Sequence, residues 1–170
     1  GDEYTGFRLA ALWKPTEELD ITLTHLQQDI EQDGTPEIEL GLLGDYEQRR
    51  NNTSLNGSSY ESLENEVDIT NLVANYDLGW GTLSSSSSWI SYKSVNKEDK
   101  TYFSNFLSQF VGAAFFGLPY YLDQKAETDN FVQELRLASN LDGKIQFVTG
   151  LYYEDKEYVA GGPFRWSGAA

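Results

Sequence analysis

Cysteine and methionine are absent from these 170 residues, and histidine occurs once, as His25. Without cysteine there is no disulfide framework and no thiolate metal site, and one histidine excludes a multi-histidine centre within this stretch. Metal chemistry would have to rest on carboxylates alone. With no methionine there is no start residue, so the sequence reads as a segment of a longer chain. Basic residues are also scarce, with 12 Lys plus Arg against 27 Asp plus Glu and a formal charge of -15. Phosphates would be repelled, which excludes nucleic acid as a partner and argues against a polybasic membrane-surface role. No apolar run reaches 18 residues, so no transmembrane helix is expected, and the polar start Gly1-Asp2-Glu3 is not a signal peptide.

Aromatic residues are plentiful, at 14% of the chain, although the mean hydropathy is only -0.50. That combination suits a soluble β-sandwich, whose core the aromatics would fill, and equally a membrane-spanning β-barrel, whose strands turn only every second side chain to lipid. Punctuation separates the two. Three short turn signals, Pro15-Thr16-Glu17-Glu18, Asp77-Leu78-Gly79-Trp80-Gly81 and Asn140-Leu141-Asp142-Gly143-Lys144, each sit between two long runs. Proline early in a turn, glycine where φ must be positive and an Asp-Gly pair each reverse a chain tightly.

The flanking runs have a period of two. Phe7, Leu9, Ala11 and Trp13 alternate with Gly6, Arg8, Ala10 and Leu12, and Leu19, Ile21 and Leu23 alternate with Asp20, Thr22 and Thr24. Leu72, Ala74 and Tyr76 interleave with Val73 and Asn75, and Leu135 and Leu137 with Glu134 and Arg136. A five-serine run blurs the pattern after the second tip. Six antiparallel strands are expected near 4–14, 18–31, 66–78, 82–96, 129–140 and 145–159, making hairpins over 4–31, 66–96 and 129–159. Long connections over 32–65, 97–128 and 160–170 lie on the side away from the tips. Short turns at one end, long loops at the other and strands long enough to cross a bilayer at a tilt are the plan of an outer-membrane barrel. The whole of 1–170 then belongs to one all-β, antiparallel transmembrane barrel domain. Trp13 and Trp80 stand beside tips, while Tyr92, Tyr152 and Tyr153 are expected toward the far ends, as two interfacial girdles.

Parity assigns the faces. Phe7, Leu9, Ala11, Leu19, Ile21, Leu23, Leu72, Ala74, Tyr76, Leu135, Leu137, Ile145, Phe147 and Leu151 are expected to meet lipid. Arg8, Asp20, Asn75, Glu134, Arg136 and Gln146 are expected to face the lumen.

Phe131-Val132-Gln133-Glu134-Leu135-Arg136-Leu137-Ala138-Ser139, running through Asp142-Gly143 into Phe147-Val148-Thr149-Gly150-Leu151-Tyr152-Tyr153, resembles barrel strands of TonB-dependent outer-membrane receptors. Leu12-Trp13-Lys14-Pro15-Thr16-Glu17-Glu18-Leu19 and Tyr76-Asp77-Leu78-Gly79-Trp80-Gly81-Thr82-Leu83-Ser84-Ser85 are similar to the same family's hairpins. The resemblance implies a barrel of about 22 strands, a plug domain filling its lumen, and an N-terminal box that engages the TonB complex. It also implies energy-coupled uptake of a scarce nutrient such as a ferric siderophore, with no catalysis and no cofactor. Plug, box and terminal aromatic strand are not in this sequence. A passive porin or an adhesive surface barrel are the alternatives.

The two long connections differ in chemistry. Eleven carboxylates lie between Asp29 and Asp68 against only Arg49 and Arg50. They form a solvated loop, a calcium site that matches no EF-hand spacing, or, through divalent ions, a bridge to lipopolysaccharide. The second connection is aromatic, and Tyr102, Phe103, Phe106, Tyr120 and Tyr121 are its candidate ligand-capturing residues, with packing against neighbouring loops as the alternative. His25 beside many serines is a weak catalytic signal, and its parity with Ile21 and Leu23 favours an interfacial position.

Overall fold

The protein, seen in a computed structural model, is described over residues 1–33, 38–40, 46–48, 61–99, 110 and 120–166. Six long strands carry the fold: β1 (Asp2–Trp13), β2 (Leu19–Gln32), β5 (Ser62–Asp77), β6 (Gly81–Asp99), β7 (Tyr120–Ser139) and β8 (Val148–Gly161). Three short strands accompany them: β3 (Ile38–Leu40), β4 (Tyr46–Gln48) and β9 (Phe164–Trp166). The long strands form one antiparallel meander in the order β1-β2-β5-β6-β7-β8, and β3 pairs only with β4. Each strand pairs with its sequence neighbour along nearly its whole length, so the alternation of one strand is locked to that of the next. The sheet is open, with β1 at one edge and β8 and β9 at the other.

All three tips fall where turn chemistry places them. Gly79 has a φ of 79°, its N–H donates to Asp77 Oδ1 at 2.7 Å, and Leu78 N–H donates to the Gly81 carbonyl at 2.8 Å. An L-side chain at that φ would clash with its own backbone, so glycine makes the turn possible. At the first tip the Leu19 N–H donates to Thr16 Oγ1 at 3.2 Å.

Four expectations need correction. First, the third tip is wider than 141–144, because β8 begins at Val148 rather than near 145. The Gln146 amide supplies the reason: its Oε1 accepts from Leu141 N–H and Ser139 Oγ, and its Nε2 donates to the Leu141 carbonyl. Backbone groups of the turn are thereby satisfied without a ladder, and Ile145, Gln146 and Phe147 lie outside the strand. Second, β6 and β7 run on to Asp99 and back from Tyr120, which shortens the expected 97–128 connection to 100–119. Lys93 stands opposite Glu127 and Lys97 opposite Asp123, and opposite charges across a strand pair favour the longer ladder. Third, β5 starts at Ser62, four residues early, because Leu63 and Ser62 continue its pairing with Gln32, Asn96 and Lys97. Fourth, β9 lies in a stretch expected to be loop. It pairs with β7 in the register of β8, so the two are one edge strand interrupted at Gly162-Pro163, where proline has no N–H to give.

Among the described residues the fold has almost no core. Leu122 is the one buried apolar side chain, whereas Phe7, Leu9, Trp13, Leu135 and Leu151 are between 39% and 74% exposed. A sheet this long in a soluble sandwich would bury one face under a second layer. Here the six long strands and β9 form a single layer.

Candidate functional site

Cross-strand register sorts the side chains of the sheet into rows, and the two faces differ. On the first face, the row nearest the tips is Leu19, Tyr76, Leu83, Leu137 and Thr149. Next come Trp13, Ile21, Ala74, Ser85, Leu135 and Leu151, then Ala11, Leu23, Leu72, Ser87, Gln133 and Tyr153. The fourth row is transitional, with Leu9, His25, Thr70, Trp89, Phe131 and Asp155. From Leu137 to Phe131 the apolar band spans about 20 Å along the strand at 3.3 Å per residue. Beyond it the same face turns acidic, through Asp29, Glu66, Asp68, Glu127, Asp129 and Glu157, with one cation, Lys93, between Glu66 and Glu127.

The opposite face is arranged differently, with Leu12, Val73 and Val132 interspersed among the polar side chains near the tips. Those polar side chains are hydrogen-bonded: Asn75 Nδ2 donates to Asp20 Oδ1 at 3.1 Å, Ser84 Oγ donates to Asn75 Oδ1 at 2.7 Å, and Asn71 Nδ2 donates to Ser88 Oγ at 2.8 Å and Ser86 Oγ at 3.2 Å. Arg136 stands opposite Ser84 and Glu134 opposite Ser86. Farther from the tips this face is mixed, with Arg8, Leu26, Ile69, Ile90, Asn130 and Lys156 in one row and Gln28, Val67, Tyr92, Thr128 and Tyr158 in the next.

The serine run, which blurs the alternation in sequence, is resolved by this geometry. Ser84, Ser86 and Ser88 join the asparagine network on the polar face. Ser85 and Ser87 point to the apolar band, where Ser87 Oγ donates to Gln133 Oε1 at 2.5 Å and Gln133 Nε2 donates to Ser85 Oγ at 3.1 Å. This three-residue polar cluster satisfies itself inside an apolar surface. Only the serine run hinted at it, because the partner lies almost fifty residues away.

Of the residues singled out from sequence, Arg8, Asp20, Asn75, Glu134 and Arg136 fall together on the polar face, opposite Phe7, Leu9, Ala11, Leu19, Ile21, Leu23, Leu72, Ala74, Tyr76, Leu135, Leu137 and Leu151. Gln146 instead braces the third turn. Tyr92 and Tyr152 lie on the polar face, so the aromatic margin of the apolar band is made by Phe7, Trp89, Phe131 and Tyr153. Tyr102, Phe103 and Phe106 lie outside the described residues. Tyr120 and Tyr121 belong to β7 rather than a loop. His25 is on the apolar-band face, 5.6 Å from the Phe7 ring, with Nδ1 3.0 Å from Thr70 Oγ1 and 3.8 Å from Asp68 Oδ1. The hydroxyl in its row is that of Thr70, and no serine stands there. Among the described residues no group of three acidic or histidine side chains converges as a metal ion requires, and Glu37 and Asp45 of the acidic stretch lie outside them.

The sequence matches no protein-family model and no curated protein.

Proposed function

We propose that the chain forms part of the wall of a TonB-dependent receptor in the outer membrane of a Gram-negative bacterium, a transporter that takes up a scarce nutrient such as a ferric siderophore. The observation that carries the membrane reading is the two-faced sheet. A band of about 20 Å along the strands, shorter than the roughly 25 Å apolar band of outer-membrane barrels, is bordered by Trp13 and Tyr76 on one side and by Trp89 and Phe131 on the other. The opposite face carries hydrogen-bonded Asp20, Asn75, Asn71 and serines, as a water-filled or plugged lumen requires. Single-layer strands with exposed Leu9, Leu135 and Leu151 are costly in water and favourable in lipid.

Closure supplies the rest. An open edge in hydrocarbon leaves backbone N–H and C=O groups without partners, so the edges at β1 and β8 call for further strands. In this reading about 16 strands and a plug come from elsewhere in the polypeptide, as the family resemblance implies. The tips face the periplasm. The strands β6 and β7 continue about 33 Å past the Trp89–Phe131 row, ten residues at 3.3 Å each, and hold the connecting segments away from the bilayer as a ligand-capturing mouth. Its partners are then a small-molecule ligand at those segments, the TonB complex through an N-terminal region, and the lipid and lipopolysaccharide around the wall.

Energy coupling separates this reading from a passive porin with the same wall. In cells expressing the full-length protein, accumulation of a labelled ligand should stop when the proton gradient is collapsed and when TonB is deleted. Uptake that persists in both conditions would establish the porin.

A further inference from the structure

The apolar band and the acidic zone beyond it meet at a shallow bowl, a cavity of about 320 Å³ on the band face. Its floor is Trp89 and Phe131, whose rings are tilted 41° with centroids 5.4 Å apart. Its rim carries Asp68, Asp129, Asp155 and Glu157. Trp89 is 47% exposed, so its indole face is open to an occupant rather than consumed by packing. Phe131 in turn touches Tyr153, with centroids 6.4 Å apart, and Tyr153 belongs to the apolar band. An aromatic path therefore leads from the band to a row of carboxylates, Asp68, Asp129 and Glu157, with Asp155 beside Phe131.

We propose that this bowl binds an organic ammonium group carried on an apolar body. A metal ion needs several oxygens converging on one point, and no three of these carboxylates converge in that way. A substituted ammonium is wider, needs no such convergence, and is attracted both by the negative faces of Trp and Phe and by surrounding carboxylates. Its apolar part would lie along Phe131 and Tyr153 toward the band. Two sources offer this chemistry: an amine-bearing headgroup of the surrounding membrane, or a soluble cationic amphiphile. The site is on the outside of the wall, away from the mouth assigned to nutrient capture, and it stands whether or not uptake is energy-coupled.

The test uses the full-length protein in an uncharged detergent, with benzyltrimethylammonium, choline and the uncharged choline isostere 3,3-dimethyl-1-butanol as probes in calorimetry. Benzyltrimethylammonium should bind most tightly, choline more weakly, and the neutral isostere not at all. Replacing Asp129→Asn and Asp155→Asn together should weaken binding about ten-fold, and Trp89→Leu about two- to five-fold. The double asparagine variant removes charge without removing volume, so it keeps the test valid should Trp89→Leu fail to fold. Equal binding of the neutral isostere, unchanged affinity in the double variant, or displacement of the probe by calcium would overturn the proposal. Vesicles of phosphatidylglycerol, with and without phosphatidylethanolamine, then identify the source. Loss of probe binding only where ethanolamine is present supports the membrane headgroup, and equal binding in both supports the soluble ligand.

Discussion

Leu135→Arg is the substitution that most directly tests the apolar band. Leu135 lies on the band face between Ser85 and Leu151, two residues from the tip-side Leu137 and four from the marginal Phe131, so it falls close to mid-band. It is 39% exposed within the sheet, which leaves its side chain to whatever medium covers that face. In water, an arginine at such a position would cost well under about 1 kcal/mol. At the midplane of a bilayer it should cost about 2–4 kcal/mol, falling to about 0–1 near the interface. On the scale of about 1.36 kcal/mol per factor of ten, the folding equilibrium should shift roughly 30- to 900-fold. Two controls share the chemistry and differ in place. Ser91→Arg lies on the same face beyond the aromatic margin and should cost about 0–1 kcal/mol. Glu134→Arg lies next to Leu135 but on the polar face, and should also stay within about 1 kcal/mol. The assay is guanidinium unfolding of the full-length protein folded into phospholipid vesicles, followed by the mobility difference between folded and unfolded forms. Equal costs at Leu135 and Ser91 would refute the depth assignment, and a larger cost at Glu134 than at Leu135 would reverse the faces.

Further outcomes follow from the same geometry. Gln133→Leu alone should destabilise by about 1–3 kcal/mol, because it leaves Ser85 and Ser87 without partners in an apolar band, whereas the triple change Ser85→Ala, Ser87→Ala and Gln133→Leu should recover most of that loss in the same unfolding assay. A triple variant as unstable as the single one would contradict the self-satisfied cluster. Gly79→Val should cost about 1–2 kcal/mol from its φ of 79°, while Gly79→Asn, which tolerates that region, should cost less; equal losses would point away from backbone strain. The 170-residue segment expressed alone should aggregate, since its sheet has two open edges and Leu122 is the one buried apolar side chain among the described residues. A monodisperse soluble monomer by sedimentation would contradict the wall.

Strand identity and parity are legible in the sequence because both are local. A period of two marks each strand, Gly79 or Pro15 marks a reversal, and a hairpin with a short tip has only one register that keeps Leu23 beside Ala11. Parity also puts Arg136 and Glu134 on one side and Leu135 and Leu137 on the other without reference to a neighbour. Strand length is not local. β7 reaches back to Tyr120 in register with β6, where Lys93 and Lys97 stand opposite Glu127 and Asp123, and nothing within Tyr120 to Thr128 announces that partner. The third turn is wide for a similar reason, since Gln146 reaches Leu141 and Ser139 only after the chain has reversed. The serine run has no legible pattern until β5 and β7 flank it. The pleat sends Ser84, Ser86 and Ser88 to one face and Ser85 and Ser87 to the other, and the flanking strands supply their partners, Asn71 and Asn75 on the first face and Gln133 on the second. The bowl over Trp89 and Phe131 belongs to the same class. Its residues come from four strands, and only their shared register brings two aromatic rings and four carboxylates within reach of one ligand. Sequence by itself determined what each strand presents to either side, because backbone geometry fixes that residue by residue. Tertiary structure decided which presentations meet, because meeting depends on partners that the chain reaches only by folding back across tens of residues.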